Sequence, residues 1–399
     1  MIISSLNTKD IIAFIQEHIN DDPASLMLKA ASYPDLHMKA IVGQIASRQK
    51  VKDKLPEWFD NEYLLFPPKQ NLEQASSQIT AMFKARWMSG SSFMDLTGGT
   101  GIDAYYISKN FNSSFYVEPS KELCELASHN FKRLKAAINV EQSTAEAVLA
   151  NGITDRIDWI FIDPSRRDET KNRVYALEDC VPNVIELEEQ LLKSAHNVLI
   201  KVSPMLDIKK TLKQFKSCYR VQIVAVDNEV KELLVYLTAG NKAEAKIETW
   251  NLSEKNTEEV FTFNYSEEEE LNFDIGSPSV YLYEPNASLM KAGAYKMISS
   301  VFKLQKLHPN THLYTSEELN TKFPGKQLRI REVFKPSKKE IKKRITDGKV
   351  NVIVRNYPMG ANEIKKKFRL KDGGHDFLVF CEIEDEGLKA IWCERLTID

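Results

Sequence analysis

The chain has 399 residues, 43% hydrophobic and 28% charged, a balance ordinary for a water-soluble protein and a length that predicts two or three domains. No apolar run approaches the roughly 20 residues of a membrane helix. The first ten residues, 1–10, lack the basic, apolar and small-residue segments of a secretion signal. The net charge of −2 conceals a segregation: 16 Lys/Arg against 4 Asp/Glu from Lys326 to Lys371, and 10 acidic against 2 basic residues from Glu244 to Asp274. Five cysteines, Cys124, Cys180, Cys218, Cys381 and Cys393, form no C-x-x-C pair. Their odd count and scatter predict reduced thiols in the cytoplasm and no structural metal. His308 and His312 stand four apart, but Pro309 and Asn310 lie between them and no acidic partner follows at a motif spacing, so no metal site is expected.

Residues 1–70 read as helical, with Ile11, Ile12, Phe14 and Ile15, then Leu26, Met27, Leu28 and Ala30, at spacings of apolar helix faces. Pro67 and Pro68 close a connection, and a helix over 72–88 is expected to end at Ser89-Gly90-Ser91. An alternation follows. Strands are predicted at 93–96, 114–117, 138–141, 159–162 and 198–202, with helices over 102–110, 121–135 and 209–216. Short buried runs separated by helix-length segments predict a parallel sheet covered by helices on both sides. The rhythm then breaks. Strands 219–226 and 232–238 are separated by a gap too short for a crossover helix, so the sheet should finish with an antiparallel hairpin. Strands 246–252 and 260–265 precede the run Glu267 to Glu270, which reads as a solvated linker. Beyond it lie a strand at 279–283, a helix over 287–301, and from Gln327 the order strand, helix (337–346), strand (350–355), helix (361–368) and a closing hairpin (377–383 and 389–395).

The loop Gly98-Gly99-Thr100-Gly101 lies between a strand and a helix. Glycines let backbone N–H groups approach a ligand, and the helix N-terminus favours negative charge. Alone, such a loop would serve a dinucleotide equally well. Asp95 precedes it, where a carboxylate suits the ammonium of a methionine-like ligand and would repel a pyrophosphate. Glu118 ends the next strand, placed to accept both ribose hydroxyls, a feature that dinucleotide folds share. The strand at 159–162 ends in Asp163-Pro164-Ser165-Arg166-Arg167, at the edge of the sheet where ligands meet. A carboxylate and a proline-fixed backbone there can accept hydrogen bonds from an approaching amino group, and the two arginines can bind a nearby phosphate or carboxylate. The bland alternative is a turn with surface ion pairs. Lys201, Asp207 and Ser203-Pro204 read as a strand end and a helix cap.

The segment Asp95 to Gly101, with Thr97, Gly98 and Gly99, resembles the first S-adenosylmethionine (SAM) motif of class I methyltransferases, and Asp103 closes it. Glu118 matches their ribose-binding position, and Thr144-Ala145-Glu146 falls at their adenine-contacting loop. Asp163-Pro164-Ser165-Arg166 looks like the D-P-P-x motif of nucleic-acid amino methyltransferases, with Ser165 where a second proline usually stands. Glu73 to Ser77, Lys201 to Asp207, Tyr283 to Ala287, Phe323 to Lys326 and Arg355 to Pro358 extend the resemblance to bacterial methyltransferases with a C-terminal THUMP-like domain. It covers about residues 60–399.

The resemblance implies an α/β protein with a helical region (1–70), a Rossmann-like class I methyltransferase core (71–266), a ferredoxin-like region (275–325) and a THUMP-like domain (326–399). It implies SAM as cofactor, held by Asp95, Thr97, Gly98, Gly99, Gly101, Asp103, Glu118, Thr144, Ala145, Glu146 and Asp163. Asp163, Pro164, Ser165 and Arg166 would position the acceptor. THUMP domains bind structured RNA, so the implied partner is RNA, tRNA favoured. The charge pattern agrees with a polyanion: Arg329, Arg331, Lys335, Lys338, Lys342, Lys343, Arg355, Lys365 and Lys366 are the candidate RNA contacts. The expected activity is methylation of an RNA base, at nitrogen. A small-molecule methyltransferase, a non-catalytic RNA-binding protein and a dinucleotide-dependent oxidoreductase are the competing readings.

Overall fold

The structure is a computed structural model that describes residues 3–166, 177–253 and 257–396. Its contacts divide the chain into two compact units, Met1–Val221 with Glu232–Glu244, and Gln222–Lys231 with Ala245–Asp399.

The first unit begins with short helices, among them Lys9–Glu17, Pro23–Leu28 and Met38–Val51. They bury Leu6, Ile15, Leu26, Ile41 and Ile45 in one cluster with Leu65 and Leu126. Arg48 is buried within this region, and its guanidinium donates to the carbonyls of Phe59, Asn61, Glu62 and Leu64, satisfying the connection that follows. The helix expected over 72–88 is two helices, Lys69–Gln74 and Gln78–Ala85. Ser77 causes the break: its side chain accepts from the Thr80 N–H while the Thr80 hydroxyl accepts from the Ser77 N–H, a reciprocal cap that starts a new helix.

The strands in chain order are β1 (Gly90–Asp95), β2 (Phe111–Val117), β3 (Ile138–Glu141), β4 (Ile157–Ile162), the short β5 (Ser165–Arg166) and β6 (Cys180–Val181), then β7 (Ala195–Val202), β8 (Cys218–Val226) and β9 (Glu229–Thr238), of which all but β5 and β6 share one sheet. β1 pairs in parallel with β2 and β4, β2 with β3, and β4 with β7. β9 runs antiparallel to β7 and lies between β7 and β8. The parallel sheet therefore closes with an inserted antiparallel strand, as the chain rhythm predicts. β4 is buried along nearly its whole length, as a central parallel strand with both faces covered must be. The paired β5 and β6 form a small separate sheet beside the end of β4.

In the second unit β10 (Lys246–Leu252) and β11 (Glu258–Phe263) form an antiparallel pair. The acidic run is not a solvated linker. It forms the helix Tyr265–Glu270, in which Glu268 is buried and its carboxylate accepts the N–H groups of Lys296 and Met297 at the start of another helix, Tyr295–Phe302. Those orphan donors, not water, fix the position of Glu268. The helix expected over 287–301 is likewise broken, because Gly293 turns left-handed (φ +73°) after Ala287–Ala292.

The remaining strands are β12 (Tyr281–Pro285), β13 (Gln305–His308), β14 (Thr311–Ser316), β15 (Gly325–Phe334), β16 (Asn351–Arg355), β17 (Asp376–Ile383) and β18 (Gly387–Arg395). They form one sheet in the order β13-β14-β12-β15-β18-β17-β16. It curls so that β13 and β14 reach the end of β17. The Glu384 N–H donates to the Leu307 carbonyl at 2.9 Å, and the Thr311 hydroxyl to that of Glu382 at 2.7 Å. Leu282, Leu307, Leu313, Leu328, Ile353, Val379, Ile391 and Cys393 fill the interior. The helices Lys338–Arg344 and Ala361–Phe368 cover part of the outside through Ile341 and Ile364, which pack with Leu378, Phe380 and Ala390. β13 and β14 escaped the sequence reading because Lys306, His308 and Thr311 give neither strand an apolar alternation. His308 and His312 thus lie on paired strands, not on one helix face. His308 pairs with Glu384, and His312 stacks on Tyr295 with its pKa pushed down to about 4 by burial and the nearby Lys306 and Arg355 cations.

Candidate cofactor and acceptor site

β1 ends at Asp95, which is 1% exposed. Its carboxylate accepts the Thr97 N–H at 2.9 Å, starting the turn that follows. The Thr97 hydroxyl accepts the Asp163 N–H at 2.6 Å, tying this loop to the end of β4. Gly99 and Gly101 have φ of +53° and +78°, a left-handed backbone that a side chain would strain. Gly98 is needed for a different reason: a Cβ there would stand 2.1 Å from the Tyr116 ring. Tyr116 in turn donates its hydroxyl to the Gly99 carbonyl at 2.7 Å. Glu118 completes the fastening, its two oxygens accepting the N–H groups of Gly99 and Ser120, each at 2.9 Å. The glycine loop is therefore held by Asp95, Tyr116 and Glu118 from two neighbouring strands. A Cβ on Gly99 would meet only the Thr97 carbonyl, at 3.7 Å, so this face of the loop has room for a ligand.

A network of charge lies beside the loop. Asp103, on the helix Ile102–Ser108, accepts from the Ser76 hydroxyl at 2.8 Å and pairs with Lys84 at 3.2 Å. Lys84 is fully buried and bonds both Glu232 oxygens at 2.8 Å. Lys201, 9% exposed on β7, pairs with Asp163 at 2.5 Å. Burial drives the Asp95 carboxyl well above the usual range, and the neighbouring Asp103, Asp163 and Glu118 push it the same way. Burial also raises Asp163 and Glu232, opposed chiefly by Lys201 and Lys84 respectively. Asp103 shows the opposite balance: burial acts upward, but Lys84 and Lys201 hold it below its ordinary value. Lys201 is raised despite burial, because Asp163, Asp103 and Glu232 surround it. Among the described residues, the carboxyl groups of Asp95, Asp103, Glu118, Asp163 and Glu232 thus face the cations of Lys84 and Lys201. That donor set lacks positive charge, and a ligand carrying an ammonium and a sulfonium would supply it.

The other predicted contacts are placed as follows. Thr144 caps the helix Ala145–Asn151 by accepting the Ala147 N–H, Ala145 is buried and Glu146 is exposed. Pro164 follows Asp163, and Ser165 is exposed on β5 opposite Val181. The Arg166 side chain and all of Arg167 lie outside the described residues. The sequence reading missed Ser76, Lys84 and Glu232, and treated Lys201 as a strand end. Lys201 lies within β7 and is paired. A signal existed: Lys84 and Lys201 each interrupt an apolar stretch, and an ion inside such a stretch needs a partner.

In the second unit Arg329, Lys335, Lys338, Lys342, Lys343 and Lys366 are exposed. Arg331 is also exposed, but bonds Glu394 and lies over Trp392 at 5.0 Å. Arg355 pairs with Glu284 at 2.6 Å and Lys365 with Asp372 at 2.5 Å, so both are partly neutralised. Among the described residues no helix is long and apolar enough to cross a membrane, and no group of three or more His, Cys, Asp or Glu is placed to hold a metal ion.

Residues 281–324 match a family described as a ferredoxin-like domain, and residues 325–395 one described as THUMP domain-like. The crystal structure named as a methyltransferase from Porphyromonas gingivalis W83 is 30% identical over 97% of this chain and 98% of that one, with a TM-score of 0.88. Partial likenesses include an rRNA methylase from Streptococcus thermophilus, 14% identical over 40% of this chain and 94% of that chain (TM-score 0.30). Another is TrmK of M. capricolum with S-adenosylhomocysteine, 11% identical over 41% of this chain and 71% of that chain (TM-score 0.33). No curated protein matches. Two matched C-terminal segments and a relative aligned almost end to end, together with a loop and carboxylate set suited to a cationic nucleoside, assign the chain: it belongs to the family of class I SAM-dependent methyltransferases with ferredoxin-like and THUMP-like domains.

Proposed function

We propose that the protein methylates a nitrogen of a base in structured RNA, tRNA favoured. The observation that carries the cofactor half of this reading is the surplus of carboxyl groups around the glycine loop, which suits a ligand of net positive charge bearing an ammonium and a sulfonium. In this reading Asp95 receives the ammonium, Glu118 the ribose, and the N–H groups of the Gly98–Gly101 loop the remaining polar edge, with Thr97 and Asp103 fixing the loop and Thr144, Ala145 and Glu146 beside the adenine. When bound, SAM supplies an electrophilic methyl on a cationic sulfur. Asp163 and the Pro164 carbonyl accept hydrogen bonds from an acceptor N–H, leaving its lone pair directed at the methyl carbon. Ser165 and Arg166 line the approach. The new bond forms between nitrogen and carbon as the sulfur–carbon bond breaks, and the surplus proton then leaves the nitrogen for water. Alignment dominates such a step, so no strong base is required.

The RNA half rests on the basic segment. Six of its nine candidate contacts are exposed without a pairing given above, and phosphate binding needs free cations more than any particular sequence. The divisions at about 70, 266 and 326 are part of the same proposal. The test is incubation with methyl-labelled SAM and RNA from cells lacking the protein, followed by mass mapping of the labelled nucleoside. Label in an exocyclic or ring nitrogen supports the reading. Label confined to small metabolites overturns the RNA assignment.

A further inference from the structure

We propose that Lys201 is a positioning residue for methyl transfer: it fixes the Asp163 carboxyl group and commits one of its oxygens, so that the acceptor is an uncharged N–H donor. This rests on the reading of Asp163 as the acceptor-binding carboxylate. The Asp163 side chain is 36% exposed while Lys201 is 11% exposed, so the ammonium supports the carboxylate from the protein side and leaves its outer edge accessible. One oxygen, Oδ2, takes Lys201 Nζ at 2.5 Å, and the backbone N–H of Asp163 is held by the Thr97 hydroxyl at 2.6 Å. The carboxylate is thereby fixed at both the main chain and the side chain, with Oδ1 the remaining acceptor.

Lys201 is itself held in place. Among the described residues, the charged groups near the pair are Asp95 from β1, Asp103 from the helix Ile102–Ser108, Lys84 from the helix Gln78–Ala85 and Glu232 from β9. Lys84 bridges Glu232 and Asp103, which both act on Lys201. Among the described residues carboxylates thus outnumber cations around Asp163, and removing the ammonium in contact should favour its protonated form. A protonated Asp163 presents a hydroxyl and loses its preference for an N–H donor.

Three measurements test this on the full-length protein. Carbon-13 titration of the aspartate carboxyls, with Asp163 assigned from its loss in Asp163→Asn, should show the Asp163 midpoint in Lys201→Met about one unit or more above wild type. Lys201→Arg should restore it. Methyl transfer to the RNA pool should fall by about 10- to 100-fold in Lys201→Met through kcat, with SAM affinity changed by less than about threefold, and Asp163→Asn combined with Lys201→Met should be no worse than Asp163→Asn alone. An unshifted Asp163 midpoint overturns the proposal, as does a double variant whose losses multiply. If wild type labels no RNA, the proposed substrate fails, while the titration still decides the role of Lys201.

Discussion

Alanine at Gly98 would place a methyl group against the face of Tyr116, whose hydroxyl holds the Gly99 carbonyl. The ring has little freedom to yield, because it is buried and contacts Phe131 edge-on. We expect Gly98→Ala to lower stability by about 1–3 kcal/mol and to weaken SAM binding at least tenfold, measured by thermal melting and calorimetry. Asp95 makes the opposite trade. Its folded carboxyl lies well above the ordinary range, so the folded chain keeps a proton that the unfolded chain loses. That contribution is present below the ordinary carboxylate range and is lost as pH rises through the folded value. Asp95→Asn should therefore raise the melting temperature of the ligand-free protein at neutral and alkaline pH, flatten its pH dependence, and weaken SAM binding by at least tenfold. A variant that keeps wild-type affinity would remove Asp95 from the cofactor site.

Among the secondary elements, caps decide where helices start, and two caps carry more than their own helices. Ser77 starts the helix that delivers Lys84 into the charge network, and Glu268 closes the start of Tyr295–Phe302. Glu268→Ala leaves part-buried N–H groups without this acceptor and should cost about 1–3 kcal/mol, read from denaturant unfolding; Ser77→Ala should cost about 1 kcal/mol. These features also mark how far the sequence could be read. Strands β1 to β4 and β7 to β9 were legible because buried runs such as Trp159 to Ile162 leave no other placement, whereas the two-residue strands β5 and β6 are too short to carry a pattern; Asp95, Glu118 and Asp163 were legible because each ends such a run. Glu268 was not, since four consecutive glutamates look solvated whichever one turns inward. Nor was the partnership of Lys84 and Glu232, which lie 148 residues apart and meet only in the folded chain. Thr144 shows a further limit: the same residue that fits the adenine-contacting position also caps a helix.

The whole molecule sets the reach of its basic segment. Converting Lys338, Lys342 and Lys343 to glutamate removes three exposed cations and should weaken RNA binding across all sequences, lowering the slope of log affinity against log salt by about two to three. SAM binding should be unchanged. A loss confined to one RNA sequence would instead assign these lysines to base reading.

The curled sheet of the second unit has a consequence for modularity. β12, in the segment matching the ferredoxin-like family, pairs with β15, in the segment matching the THUMP-like family, and the seven-stranded sheet is continuous only when both are present. A fragment of residues 325–396 would carry β15 with an unpaired edge and lose Leu282, Leu307 and Leu313 from the interior, so it should aggregate or remain unfolded by circular dichroism where a fragment of residues 245–396 folds. What sequence comparison divides into two heritable parts is, physically, a single seven-stranded sheet, and recombination would have to exchange it whole.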